Sequence, residues 1–184
     1  MIRIKKKIFT DICFFEDLEL VDKWLFEEAI NVREKAQAPY SHYKVGASVL
    51  VHNEGSEKIF SGCNVERCTW TQTTHAEQNA IDKMISLLGS KKILKLCVVG
   101  ATESKEIKFL SKADYDLSPT CLLPKIEHTS VPCGHCLQII WENCFGDPNI
   151  KLFSTTKQGF VSITTIDDAF PMRFGPEDLG IKYK

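Results

Sequence analysis

The chain has 184 residues, of which 43% are hydrophobic and 26% are charged, as expected for one soluble globular domain spanning 1–184. Its formal net charge of -1 provides no general attraction to nucleic acid or to an acidic membrane surface. No stretch approaches the roughly 18 to 20 apolar residues that span a bilayer, and the N-terminal residues lack the pattern of a secretory signal.

The first half of the chain predicts a helix, a β-hairpin and a second helix. Apolar residues recur at helical spacing from Glu16 to Ala38, and Pro39 is expected to end that helix. Segments 44–52 and 58–65 are typical of paired strands. The next helix is expected over 75–88, with Thr73 or Thr74 as its cap and Gly89 just beyond its end.

The second half predicts a strand over 93–101, a helix over 134–145, and strands over 150–155 and 159–165. In segment 102–131 the apolar residues show no sustained periodicity. Because helices alternate with strands, we expect an α/β layered domain.

The eight cysteines are irregularly spaced, at positions 13, 63, 68, 97, 121, 133, 136 and 144. A disulfide scaffold is more typical of short secreted chains that carry a signal. We therefore expect a reducing, cytoplasmic compartment in which some of the cysteines bind a metal.

Two short motifs predict a catalytic zinc site. His75 provides an imidazole, and Cys133 and Cys136 provide thiolates on one face of the first turn of a helix. Three protein ligands leave the fourth position on Zn²⁺ open, as in catalytic sites. Glu77 follows two residues after His75, where it can transfer protons without binding the metal. HxE with a separate PCxxC is the signature of zinc-dependent nucleobase deaminases.

A structural zinc site is the simpler alternative for the two cysteines. Such a site normally closes with four ligands, and the two beyond Cys133 and Cys136 would have to come from Cys63, Cys68, Cys121 or Cys144. None of these forms a second tight pair, and this alternative leaves Glu77 unexplained.

Five segments together resemble the successive motifs of the cytidine deaminase family. They are APYSHYKVGA (38–47), GCNVE (62–66), HAEQNAI (75–81), PCGHCLQ (132–138) and FGPEDLG (174–180), in the order of the family. The resemblance implies an α/β three-layer sandwich, with a mixed β-sheet between layers of helices, and the deamination of free cytidine or deoxycytidine in pyrimidine salvage.

The resemblance also implies a role for each matching residue. Zn²⁺ would be bound by His75, Cys133 and Cys136, with Glu77 as the proton carrier. Substrate contacts would come from the Asn64 and Glu66 side chains at the sugar hydroxyl, Tyr43 against the pyrimidine, the Ala76 backbone N–H at the base carbonyl, and Phe174, often from a neighbouring subunit. Core packing for the two aromatics and a polar strand end for Asn64 and Glu66 are the alternatives. A homotetramer is implied, with a homodimer as the alternative.

Three features depart from the family pattern. Gln78 replaces an Arg found where three thiolates bind the zinc; two thiolates and a neutral His carry less negative charge and have less need of a cation. Leu137 replaces another common Arg, and we identify no compensating partner in the sequence. The spacing between Glu77 and Cys133 indicates an insertion at 102–131, which we expect to be peripheral to the chemistry.

The predicted substrate is a small nucleoside, without a nucleic-acid or membrane partner. No cluster of Arg or Lys adjoins any of the five motifs to bind a phosphate; Arg67 is the one candidate, while Lys44 and Arg173 are isolated. A deaminase of a nucleoside antibiotic such as blasticidin S is the alternative, followed by a nucleotide or polynucleotide deaminase. A non-catalytic binding module is disfavoured because Glu77 is present.

Overall fold

A six-stranded sheet runs through the computed structural model, which describes residues 1–117 and 123–181. Its strand order is β1-β6-β5-β4-β2-β3. The strands are β1 (Thr10–Cys13), β2 (Tyr43–Asn53), β3 (Ser56–Cys63), β4 (Ile93–Thr102), β5 (Lys151–Thr155) and β6 (Val161–Thr165). Strands β4 and β5 pair in parallel and the other neighbours are antiparallel, which confirms a mixed sheet.

Helices connect these strands and cover both faces of the sheet. They are α1 (Leu20–Arg33), α2 (Ala76–Leu88), α3 (Lys112–Leu117), α4 (Gly134–Asn143) and α5 (Ile166–Ala169), with short 3-10 turns at Phe15–Asp17, Ile126–His128 and Pro176–Leu179. None of the helices among the described residues has the length and hydrophobicity needed to cross a membrane.

The alternation of side chains along β2 divides the core into two layers. Val49 and Val51 face the cluster that contains the buried residues of α2 and α4, whereas Leu50 faces the cluster that contains those of α1. Strand residues alternate with a period of two, so each central strand is apolar on both faces. The predicted three-layer α/β sandwich is therefore confirmed.

Helix α1 packs on β2 at a glycine. A Cβ atom on Gly46 would lie 1.9 Å from the Ala29 carbonyl oxygen and 2.8 Å from the Arg33 backbone nitrogen. No side chain fits in that space, so the glycine lets the helix approach the strand backbone.

The buried Arg33 side chain joins the end of α1 to three other segments. Its Nε donates to the Lys44 carbonyl at 3.2 Å, and its Nη2 lies 3.2, 3.0 and 2.9 Å from the carbonyl oxygens of Ala101, Thr102 and Lys105. The side chain is only 2% exposed. The guanidinium thus satisfies backbone acceptors at the start of β2, at the end of β4 and just beyond it.

Some predicted boundaries differ from the observed ones. The first helix ends at Arg33, well before Pro39, because residue 37 forms a bridge with Val65 instead of continuing the helix. His75, rather than either threonine, is the cap residue of α2. Strand β1 and the short helices α3 and α5 were not predicted from the sequence.

The segment predicted as an insertion packs partly against the body of the protein. The Phe109 ring stacks on Phe15 with centroids 4.2 Å apart and meets Phe26 edge-on at 5.3 Å. Position 121, one of the candidate ligands of a structural zinc site, lies outside the described residues.

The substitution Gly46→Ala should destabilise the protein by about 1 to 3 kcal/mol or more, because the added methyl group forces α1 away from β2. Chemical unfolding followed by circular dichroism would measure this loss. The matched change Gly134→Ala, where an added Cβ meets no atom within 4 Å, should cost much less. Equal unfolding free energies for the two variants would contradict the packing argument.

Candidate active site

Helices α2 and α4 begin next to each other and carry the predicted metal ligands. His75 immediately precedes α2, Cys133 immediately precedes α4, and Cys136 lies in the first turn of α4. The positive ends of both helix dipoles therefore point toward the ligands, which favours thiolates there.

The three ligand atoms have the spacing of a tetrahedral metal site. His75 Nδ1 lies 3.4 Å from Cys133 Sγ and 3.4 Å from Cys136 Sγ. Zinc bonds of about 2.0 Å to nitrogen and 2.3 Å to sulfur would place such atoms about 3.6 Å apart at a tetrahedral angle. All three atoms lie within 4.8 Å of one another. The imidazole and the two thiols therefore fit Zn²⁺ in both geometry and donor type.

A bound metal cation would favour the thiolate form of Cys136. Burial raises the pKa of the Cys136 thiol well above its ordinary value, and the neighbouring charges of Glu77 and Cys133 raise it further. Without a cation the thiol would stay protonated at neutral pH. A bound dication favours the thiolate and so offsets the burial.

Glu77 lies in the first turn of α2 and is buried. Its charge lies close enough to Cys136 to raise the pKa of that thiol, and the residue also lines the cavity described below. A carboxylate held between a metal ligand and a cavity is placed to exchange protons with a molecule bound there.

A cavity of about 510 Å³ opens beside the three ligands, within the range typical of small-molecule sites. It contains most of the residues predicted from the sequence: Tyr43, Asn64, Glu66, His75, Ala76, Glu77 and Cys133. Ala76 is the first residue of α2, so its backbone N–H is one of those that have no partner within the helix.

The Asn64 side chain holds the start of β2. Its Oδ1 accepts from the Val45 backbone N–H at 2.8 Å, and its Nδ2 donates to the Tyr43 carbonyl at 2.9 Å. An amide can make four hydrogen bonds, so one donor and one acceptor position remain for a ligand.

Glu66 is buried and accepts hydrogen bonds from the loop that precedes β2. One oxygen receives the backbone N–H groups of Tyr40 at 2.9 Å and Ser41 at 3.2 Å, and the other receives the Ser41 hydroxyl. Burial opposes ionisation, but these hydrogen bonds outweigh it and lower the pKa of Glu66. The carboxylate is therefore charged at neutral pH and fixed in place before any ligand binds.

Tyr43 forms part of the cavity wall, and Gly100 leaves room for its ring. A Cβ on Gly100 would lie 2.9 Å from Tyr43 Cε1. Phe174, by contrast, does not line the cavity of its own chain. It is 56% exposed, and its carbonyl accepts from Gln138 Nε2 at 3.0 Å.

Several lining residues were missed by the sequence reasoning. Trp70 sits in the short loop between two motifs, with φ at 56°, and its ring centroid is 5.6 Å from that of Tyr40. An aromatic residue between two matched motifs was the available signal. Ser130 and Val131 also line the cavity. The expectation that 102–131 is peripheral is therefore wrong for its last two residues.

Positions 78 and 137, where the family pattern predicts an arginine, have different surroundings. Gln78 Oε1 lies 3.5 Å from His135 Nε2, a contact that joins α2 to α4. Leu137 belongs to α4 and is buried in the core. An apolar contact thus stands where the family commonly has an arginine.

Comparison with known proteins agrees with this geometry. Residues 20–150 match the family described as "Cytidine and deoxycytidylate deaminase zinc-binding region". The chain is 32% identical to the cytidine deaminase of Sporosarcina psychrophila over 155 residues, covering 84% of this chain and 92% of that protein. It is 30% identical to the cytidine deaminase of Halalkalibacterium halodurans, covering 84% of this chain and 95% of that protein.

Solved structures of cytidine deaminases are similar to this chain in fold. The crystal structure of cytidine deaminase from Burkholderia pseudomallei has a TM-score of 0.60 at 32% identity, over 83% of this chain and 98% of that chain. The cytidine deaminase from Mycobacterium tuberculosis, at 22% identity, shares the fold with a TM-score of 0.58, over 85% of this chain and 99% of that chain. The motifs, the metal-ligand geometry and these similarities lead to one conclusion: the chain belongs to the cytidine deaminase family.

Proposed function

We propose that this protein is a zinc-dependent deaminase that converts free cytidine or deoxycytidine, with water, into the uridine product and ammonia. The observation that carries the proposal is the meeting of His75, Cys133 and Cys136 beside buried Glu77, at the wall of a nucleoside-sized cavity. The named relatives above are cytidine deaminases, which supports the same reaction and a role in pyrimidine salvage.

Zinc would be held by His75 Nδ1 and the sulfur atoms of Cys133 and Cys136. When bound, the metal supplies Lewis acidity that lowers the pKa of water in the cavity. His75 and Cys133 both line the cavity in which the base would lie.

Glu77 would carry the protons. Its carboxylate takes a proton from the attacking water and delivers it to N3 of the pyrimidine, which makes C4 electrophilic. The water oxygen bonds to C4, and Glu77 then carries the second proton of that oxygen to the amino nitrogen. The bond between C4 and the amino nitrogen breaks, which releases ammonia and leaves the C4 carbonyl of the uridine product. The protein itself is unchanged after each turnover.

The remaining cavity residues would position the nucleoside. Asn64 and Glu66 would hydrogen-bond the sugar hydroxyl, and Tyr43 would pack against the pyrimidine. The Ala76 N–H would donate to the base carbonyl. Because Phe174 is exposed and outside its own cavity, it would close the cavity of a neighbouring subunit.

We also propose that 1–184 is a single domain with an insertion at 102–131, assembled as a homotetramer, with a homodimer as the alternative. Exposed Leu20 and Trp24 on α1 support an assembly surface. A cytoplasmic location is supported by the cysteines of the described residues, all of which are free thiols.

The double substitution Cys133→Ala and Cys136→Ala should abolish zinc binding and activity together, because two of three ligands are lost. Elemental analysis should find about one zinc per wild-type chain and none in the variant. Cys13→Ala with Cys68→Ala is the matched control and should keep the metal. Full zinc occupancy in the first variant would contradict the assigned site.

The substitution Glu77→Gln should keep zinc and the fold but reduce kcat by about 10² to 10⁴ or more, because the amide cannot carry the proton. Steady-state ammonia release and zinc content would be measured together. Asp82→Asn, an exposed carboxylate on the same helix, should leave kcat unchanged. A Glu77→Gln variant with normal kcat would show that another group transfers the protons.

Cytidine and deoxycytidine should exceed free cytosine and a short cytosine-containing single strand in kcat/KM by at least about a hundredfold. The sugar contacts help to position the base, and this ratio is about 2.7 kcal/mol of transition-state discrimination. Blasticidin S should be included in the assay. If it is the best substrate, the reaction class stands and the assignment of cytidine and deoxycytidine as the substrates is wrong.

A further inference from the structure

A second cavity of about 580 Å³ lies beside the active-site cavity and shares part of its wall. Tyr43, Gly100 and Ser130 line both cavities. The other walls come from residues 101–102 and 105–108 and from the turn 155–159 between β5 and β6. A ligand in the second cavity would therefore contact residues that also shape the active-site cavity.

The backbone that forms this second cavity is held at both ends. Arg33 Nη2 donates to the Lys105 carbonyl at 2.9 Å, and the Leu110 N–H donates to the Gly159 carbonyl at 2.9 Å. Gly159 has φ at +92°, and a Cβ there would lie 3.0 Å from the Lys108 carbonyl oxygen. The segment that contains Lys108 and Leu110 thus packs directly against the turn that contains Gly159. These backbone contacts hold the walls of the second cavity in place.

The charges around the second cavity favour an anion. Three lysines line it, namely Lys105, Lys108 and Lys157, against a single carboxylate, Glu106. Glu106 pairs with Lys108 at 3.3 Å. Within 1–117 and 123–181, neither Lys105 nor Lys157 has a carboxylate at ion-pair distance.

Hydroxyl and amide groups complete the lining of the cavity, from Ser130, Thr155, Thr156 and Gln158. Hydroxyls donate to phosphate oxygens, and lysine binds phosphate as a point charge. We propose that the second cavity binds the phosphate group of an anionic ligand. The phosphate belongs either to a separate ligand that binds beside the nucleoside or to the 5′-phosphate of a cytidine nucleotide.

The binding test uses the zinc-loaded full chain and inorganic phosphate, by calorimetric titration at constant low ionic strength. The double variant Lys105→Gln, Lys157→Gln should bind phosphate at least about tenfold more weakly than the wild type. The control Lys58→Gln, Lys83→Gln changes the net charge equally at exposed positions outside both cavities and should bind like the wild type. Thermal unfolding would verify that both variants are folded.

Equal phosphate affinity in the wild type and both variants, or no binding by the wild type, would overturn the proposal. Deamination kinetics then identify the source of the phosphate. Of the two measurements, only the kinetic one rests on the proposed function. For a separate ligand, added phosphate should change KM for cytidine in the wild type and not in the Lys105→Gln, Lys157→Gln variant. For a nucleotide, that variant should lose about tenfold in kcat/KM for cytidine 5′-monophosphate while cytidine is unaffected.

The phosphate titration does not require catalytic turnover. The proposed phosphate site and the proposed function can therefore each be contradicted without the other. Lysine-dependent phosphate binding by a protein that does not deaminate cytidine would contradict the proposed function and leave the phosphate site intact.

Discussion

The side-by-side packing of α2 and α4 on one face of the sheet is the constraint on which the metal ligands depend. Ala80 and Ile81 of α2 share one apolar cluster with Ile140 and Trp141 of α4, over the strands of the same face. The helices begin next to each other only because these apolar surfaces fit together. Zinc ligands tolerate errors of only about 0.2 Å, so the geometry of the proposed chemistry is set by the hydrophobic core.

The polar residues of the cavity have a second, structural task. Asn64 fixes the first residues of β2, and Glu66 fixes the loop before it, through hydrogen bonds to backbone groups. Both side chains are therefore held in place before a substrate enters. Such preorganisation reduces the entropy lost on binding. It also means that removing either side chain would disturb Tyr43 as well as the proposed sugar contact.

Segment 102–131, predicted from the sequence as an insertion, is connected at its described ends to the active-site cavity rather than remote from it. Arg33 joins its first residues to the ends of β2 and β4, and Phe109 packs against the α1 face. At its other end, Ser130 and Val131 complete the cavity beside Cys133. A change in this segment can therefore reach the substrate cavity through backbone contacts at both ends.

The sequence by itself determined the α/β class, most elements and the ligand set, because periodicity and short motifs such as HAE and PCGHC are local. Contacts between distant segments could not be predicted in this way. Residue 37 pairs with Val65 and ends α1 early, and the fold brings Lys157 to the same cavity as Lys105. Only the tertiary structure decided these features, because they depend on which surfaces pack together, and no local pattern encodes that.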